Sequence, residues 1–469
     1  MADLVYAHDL SIADRLVLKR LEDDNVRHKS GRSGEDDEDC NMEIASGSGS
    51  SALDSGSESS ASTVFSEPIR RRTTKTAVPP SSSVTSSEDE FEIAAIKAMG
   101  DPKNEAFEPT VIVSRDLRDI KLSPVLDRYL LRPYVQWAQG VARRPTDAVF
   151  VTHLLLYTCT ILPSAIYLFR NFNYLHGIVH TAMAFYYMGT YTLMMHQHIH
   201  QRGVLAPQYS LFDKTFPYIT DTLMGHTWNS YYFHHVKHHH IEGNGPNDLS
   251  STLRYQRDSA LDFICYFLRF MLFVWAELPL YFFSKKRPGM ALKTLTCELS
   301  NYAFYFLMAK YVDLRATIFV FLLPLMLMRL GMMVGNWGQH ALVHPSEPDS
   351  DYRSSITLID VPSNRYCFND GYHTSHHLNP LRHWRDHPAA FLEQRHKYAK
   401  EGALVFHNID YLMLTVRLLM KDYETLAKCL VPIGDQIDMT MKEREDMLRN
   451  HTTKFTEEQI KRTFTKASS

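Results

Sequence analysis

The chain has 469 residues, room for one large domain or several ordinary ones, and a formal net charge of -3. No basic field points to nucleic acid, and six cysteines scattered without a CxxC argue against both a disulfide framework and a thiolate zinc site, as in a reducing, cytosol-facing protein. The N-terminal MADLVYAHDLSIADRLVLKR lacks a continuous apolar core, so no cleavable secretory signal is expected.

Residues 1–105 carry the acidic GEDDEDC, the serine-rich SGSGSSALDSGSESSAS and a basic triplet at Arg70, Arg71 and Arg72. Such a composition buries too little apolar surface to offset its ordering entropy, so this stretch reads as a disordered tail, open to phosphorylation and dispensable for catalysis. Residues 106–425 read as a membrane-embedded catalytic domain and 426–469 as a charged, helical C-terminal tail.

Two nearly uncharged runs, 148–169 and 174–195, are long enough to cross a ~30 Å bilayer core and are joined by the short turn RNFN. Of three further apolar runs, 261–283 contains Arg269, Glu277 and Pro279, costly or disruptive at bilayer depth, and is expected to be interfacial or re-entrant. Runs 296–311 and 316–335 then form a second hairpin. Four spans follow, with both termini and all histidine clusters on one face; the alternative, 261–283 crossing and 296–311 not, gives the same sidedness. The fold class is therefore all-α integral membrane: two hairpins, interfacial helices and a cytosolic helical cap.

Thirteen histidines fall in four clusters, just beyond run ends and in the long polar segments. At about 100° per residue, His196 and His200 share a helical face and His198 points away. His235, His238 and His239 fall within one arc, with His234 and His240 outside it; His373, His376 and His377 repeat the same H-x-x-H-H spacing. Asn336 precedes His340 by one helical turn. Nine imidazoles and one amide exceed what a tetrahedral zinc uses, so the count favours a dinuclear centre, without naming the metal.

The order H-x3-H, H-x2-H-H, N-x3-H, H-x2-H-H around two membrane hairpins resembles the membrane-bound fatty acid desaturase and hydroxylase superfamily, over roughly residues 130 to 420. The resemblance implies a mushroom of four transmembrane helices carrying a cytosolic cap. It implies two iron ions (Fe2+/Fe3+) bound by His196, His200, His235, His238, His239, His340, His373, His376 and His377, with Asn336 at a position that contacts a metal through water. The second box carries an extra histidine on either side, leaving both His234 and His235 open as its first ligand.

The implied activity is dioxygen-dependent introduction of a double bond into a fatty acyl or lipid chain in the membrane. Hydroxylation or another C–H oxidation of a lipid or specialised metabolite is the alternative on the same scaffold, and a histidine-rich metal transporter or sensor the alternative of another class. No fused haem or nucleotide motif occurs, so a separate electron donor such as cytochrome b5 or a ferredoxin is implied. The expected location is the endoplasmic reticulum membrane. Asp248, Glu242 and Asp370, each near a box, are candidate carboxylate partners for the imidazoles.

Overall fold

The computed structural model describes residues 10–35, 87–113, 115–359 and 367–465 of a mostly helical chain. Its principal helices are α1 (Ile12–Glu35), α2 (Ser87–Gly100), α3 (Ala148–Arg170), α4 (Tyr174–Gln201), α5 (Ala260–Ser284), α6 (Pro288–Tyr311), α7 (Leu323–His340), α8 (His373–Leu378), α9 (His387–Lys400) and α10 (Met441–His451). Among the described residues, three helical runs are long and apolar enough to cross a membrane: Pro145–Arg170, Ala260–Ser284 and Leu314–His340.

α3 and α4 pack on each other, and α7 packs on α4. Their shared core runs from Phe150 and Tyr157 through Ile161 and Leu168 to Tyr191 and Met194. Outward, the helices present Leu175, Ile178, Val179 and Phe185 on α4 and Leu261, Leu272, Phe273 and Phe283 on α5, all exposed. So broad an apolar surface is an aggregation liability in water and an ordinary lipid-facing surface in a bilayer.

The segment expected to be interfacial or re-entrant is the continuous helix α5. The two charges that argued against its crossing pair with each other, Arg269 Nε lying 3.1 Å from Glu277 Oε1. At 25 residues α5 is about 37 Å long, yet it touches the second histidine segment along its length. Phe270 meets His234 with ring centroids 5.1 Å apart, Tyr281 meets His238 at 4.1 Å, and Lys285 Nζ lies 2.8 Å from Glu242. Neither α4 nor α6, both expected to cross, is among the three apolar runs; α6 carries Glu298, a buried carboxylate 3.4 Å from Arg329 of α7.

Beyond α7 a small cap forms. Strands β1 (Ile356–Ile359) and β2 (Leu404–His407) pair in parallel, Ile356 opposite Leu404 and Ile359 opposite His407, and both are wholly buried. Leu358 N–H donates to Gly371 O at 2.7 Å, which brings the loop before α8 to the sheet.

The N-terminal reading is corrected in part: residues 12–35 and 87–100 are helices seated on α9, whereas the serine-rich stretch between them lies outside the described residues. The physical reason is a stripe in α1. Val17, Leu18 and Leu21, with Leu10 just before the helix, are buried against Tyr372, Phe391 and Leu392. The serine-rich composition downstream masked it.

Arg257 ties these layers together. Its buried guanidinium donates to the carbonyl oxygens of Ala341, Thr252, Leu253, Tyr255, His451 and Thr453, joining the end of α7 to the end of α10. Burial lowers its pKa to about 9, so the group stays protonated at neutral pH. Arg257→Met leaves those carbonyls unpaired and is expected to cost about 3 kcal/mol or more, read as a lowered thermal midpoint of the purified protein in detergent.

Candidate metal centre

The last turn of α4 supplies His196 and His200, one turn apart and buried, while His198 turns away to Asp213 O at 2.9 Å. The second histidine segment, Tyr232–His239, is a π-helix, and His240 N–H donates to His235 O, an i to i+5 bond. Gly243 and Asn244, both left-handed at φ 54° and 55°, end the helix that follows. In this wider turn residues five apart share a face. His235 and His240 therefore stand side by side, with Nε2 atoms 3.0 Å apart.

This register departs from the sequence expectation. Assigning 100° per residue aligned His235 with His238 and excluded His240; the π-turn reverses the two. His238 Nε2 instead accepts from Leu249 N–H at 2.8 Å, and His238 groups with His234 and Asp248, apart from the other imidazoles.

On α8, His373 and His377 share one face and His376 stands beside them, its N–H donating to Tyr372 O at 3.0 Å. The consequence is a division of labour. His196, His200, His235, His240 and His376 converge as one group, and His239, His340, His373 and His377 as a second; within each group the candidate ligand atoms lie within 4.8 Å of one another. His240 and His377, one from each group, are 5.1 Å apart between ring centroids, so the groups abut. Nine imidazoles gather, as many as the sequence count, with His240 where His238 was expected.

In the first group four Nε2 atoms close a ring: His196 to His235 at 2.8 Å, His235 to His240 at 3.0 Å, His240 to His376 at 2.8 Å and His376 to His196 at 3.1 Å. A neutral ring nitrogen carries one in-plane hydrogen or one lone pair, so it cannot satisfy two such neighbours. A cation at the centre can. His200 Nε2 is also buried without a hydrogen-bond partner. In the second group His373 Nε2 lies 3.1 Å from both His340 Nε2 and His377 Nε2.

The tautomers agree with this. His239 Nδ1 is 2.7 Å from Asp248 Oδ2, and His340 Nδ1 is 2.7 Å from Ser354 O, so each ring donates there and turns its Nε2 lone pair inward. Burial, and then the neighbouring imidazoles, push the pKa values of His235, His240, His373, His376 and His377 well below the usual histidine value, keeping them neutral.

Asp248 also accepts from Asn244 N, Ser250 N and Ser250 Oγ. Burial alone would raise its pKa, but His239 and His238 outweigh that and hold it well below the usual range. Its oxygens are thus committed to orienting the segment. Asp370 Oδ1 lies 3.8 Å from His196 Nδ1, and burial raises its pKa to about 7 against a hydrogen bond from Gln339. Glu242, the third carboxylate singled out from sequence, accepts from Tyr281 and pairs with Lys285 instead. Asn336 donates to Ser250 O at 2.9 Å and to Tyr266 Oη at 2.7 Å. His226, His383 and His387, outside both groups, are engaged by Thr192, Asp147 and Ser375. The residues sequence reasoning missed are His240, Arg257 and the carbonyl of Ser354.

A cavity of about 30 Å³, room for one or two waters, adjoins the first group, lined by His226, Tyr231, His234, Glu298 and Arg329 among others. Tyr231 separates it from His235, ring centroids 5.2 Å apart.

Helices of membrane-spanning length and two abutting histidine groups able to hold metal define a membrane metalloprotein scaffold. The fatty acid desaturase family model matches residues 171–408, which is 238 of 469 residues, and the chain belongs to that family. It is thereby an oxidoreductase of the desaturase and hydroxylase type. No curated protein and no solved structure matches the chain.

Two outcomes are expected of variants at this site. His240→Ala loses about one equivalent of metal per chain, whereas His238→Ala keeps its metal and loses about 1–3 kcal/mol of stability through the unpaired Leu249 N–H; metal analysis and thermal unfolding separate them. Asp248, with its folded pKa depressed, stabilises the fold above the ordinary carboxylate range and ceases to do so as pH falls through that depressed value. The wild-type advantage over Asp248→Asn in unfolding midpoint should therefore be constant from pH 8 to about 5.

Proposed function

We propose that the chain is a dioxygen-dependent desaturase of a fatty acyl or other lipid chain. It removes two hydrogens from adjacent methylenes; dioxygen takes these with two electrons and two protons and leaves as two waters. The observation that carries this reading is the pair of abutting imidazole groups, five and four histidines, at the ends of apolar helices. An unactivated methylene offers no acidic proton to a side-chain base, so the oxidising power must come from a bound group.

Two iron ions suit this donor set of neutral nitrogens. His196, His200, His235, His240 and His376 would hold one, and His239, His340, His373 and His377 the other; together they supply the activation of dioxygen. The chain's own residues do the rest. Asp248 and Ser354 O orient His239 and His340, and the apolar walls of α3, α4 and α7 exclude water. Asn336, read from sequence as a metal neighbour through water, holds the Ser250 turn beside Asp248 and retains that place in the proposal.

The topology we favour has four spans, α3, α4, α6 and the run Leu314–His340, with α5 in the interface. It rests on the contacts of α5 with His234, His238 and Glu242, and on the Glu298–Arg329 pair that removes the charge penalty from α6. Both termini and the histidine groups then face the cytosol, at the endoplasmic reticulum, where cytochrome b5 or a ferredoxin supplies electrons. A transporter would carry its ligands in broken helices at the bilayer midplane, whereas these lie at the end of α4, at the end of α7 and in the segments that follow.

The test is expression in a host of known lipid composition, with product mass and metal analysis. A product lighter by two hydrogens and about two irons per chain are expected. A product heavier by one oxygen moves the reading to hydroxylation, and a purified chain carrying only zinc with no product overturns it.

A further inference from the structure

The family match begins at residue 171, but the segment carrying the last three imidazoles is gripped from far outside it. Tyr372, fully buried, directly precedes His373 and caps α8 through the bond from His376 N–H to its carbonyl. Its hydroxyl donates to Asp14 Oδ1 of α1 at 2.6 Å, a contact across 358 residues. Asp14 is fixed in turn: Ser11 Oγ donates to its other oxygen at 2.8 Å and accepts from its N–H at 3.0 Å, which makes Ser11 the N-cap of α1. Two ion pairs secure the rest of the helix. Arg20 Nε meets Glu92 of α2 at 2.9 Å, both buried, and Asp24 meets Arg395 of α9 at 2.8 Å. Leu10, Val17, Leu18 and Leu21 fill the space between, against Tyr372 and Phe391.

We infer that α1 is an intramolecular clamp that positions the second histidine group, with Asp14 and Tyr372 as positioning residues acting through His373 and His377. Without α1 the Tyr372 hydroxyl loses its bond to the Asp14 carboxylate, and the turn that aims His373 and His377 loses its outer support. The first group is less exposed to this, because four of its five histidines come from α4 and the π-helical segment. α1 precedes α2 in the chain by more than fifty residues, 36 to 86, rich in serine. Catalytic geometry is thereby placed under the control of a part of the chain that shares no motif with the catalytic domain.

This inference rests on the metal assignment above, and its test separates the two. The full chain is reconstituted with ⁵⁷Fe(II) under argon; Mössbauer spectra are recorded, and release to a chelator is timed. Tyr372→Phe and Asp14→Ala are expected to release iron at least fivefold faster than wild type and to alter one of two iron signals, with helicity unchanged. Combining them should add nothing further, and Asp14→Asn, whose amide oxygen still accepts from the tyrosine, should restore the wild-type rate. Wild-type release rates in both variants overturn the clamp alone, as does equal loss of both signals together with helicity, the mark of general unfolding. A wild-type chain that shows no second iron signal overturns the metal assignment and the clamp with it.

Discussion

Neutral imidazoles have little reason to face one another. Crowding nine of them with their ring nitrogens pointing inward gives up solvation without gaining hydrogen bonds, an arrangement that a bound cation would stabilise. The rest of the molecule can be understood as the apparatus that holds this unfavourable geometry in readiness. Asp248 and Ser354 O fix two tautomers, Arg257 locks the end of α7 to the C-terminal segment, and apolar helices keep water away. Each is local; together they orient the histidine groups.

Much of this was legible in the sequence, for identifiable reasons. Apolar runs of bilayer length and histidines at their ends carry a strong signal because both depend on composition over many residues, and so do the α-helical pairs His196 with His200 and His373 with His377. The family followed from those histidines, and the match over residues 171–408 agrees with it. What was not legible depends on single hydrogen bonds or on distant contacts. Nothing in HHVKHHHIE announces a π-helix, since an i to i+5 bond has no composition of its own; hence His238 was read where His240 stands. Arg257 was invisible because its partners are main-chain carbonyls, which have no sequence signature. The stripe of α1 was present but was outweighed by the serine-rich stretch beside it.

The charged residues of the helical bundle show the same economy. Arg269 with Glu277 and Arg329 with Glu298 look prohibitive when taken singly and ordinary when paired. The second pair sits beside the small cavity next to the first histidine group, where Thr227 donates to Glu298 at 2.8 Å and Tyr302 accepts from Arg329 at 2.8 Å. A polar seam therefore comes close to the first histidine group from within the helices, while Asp248, which orients His239, lies in the turn before α5.

The π-turn at Tyr232–His239 has a consequence for how such chains diversify. A helix that widens by one residue per turn absorbs an insertion without displacing what lies before or after it, so the interval between histidines can lengthen while the faces they present stay put. What the π-turn preserves in this chain is a pair of aligned imidazole faces, His235 and His240. Relatives with a shorter interval and an unbroken α-helix would reach the same pocket by a different winding of the backbone.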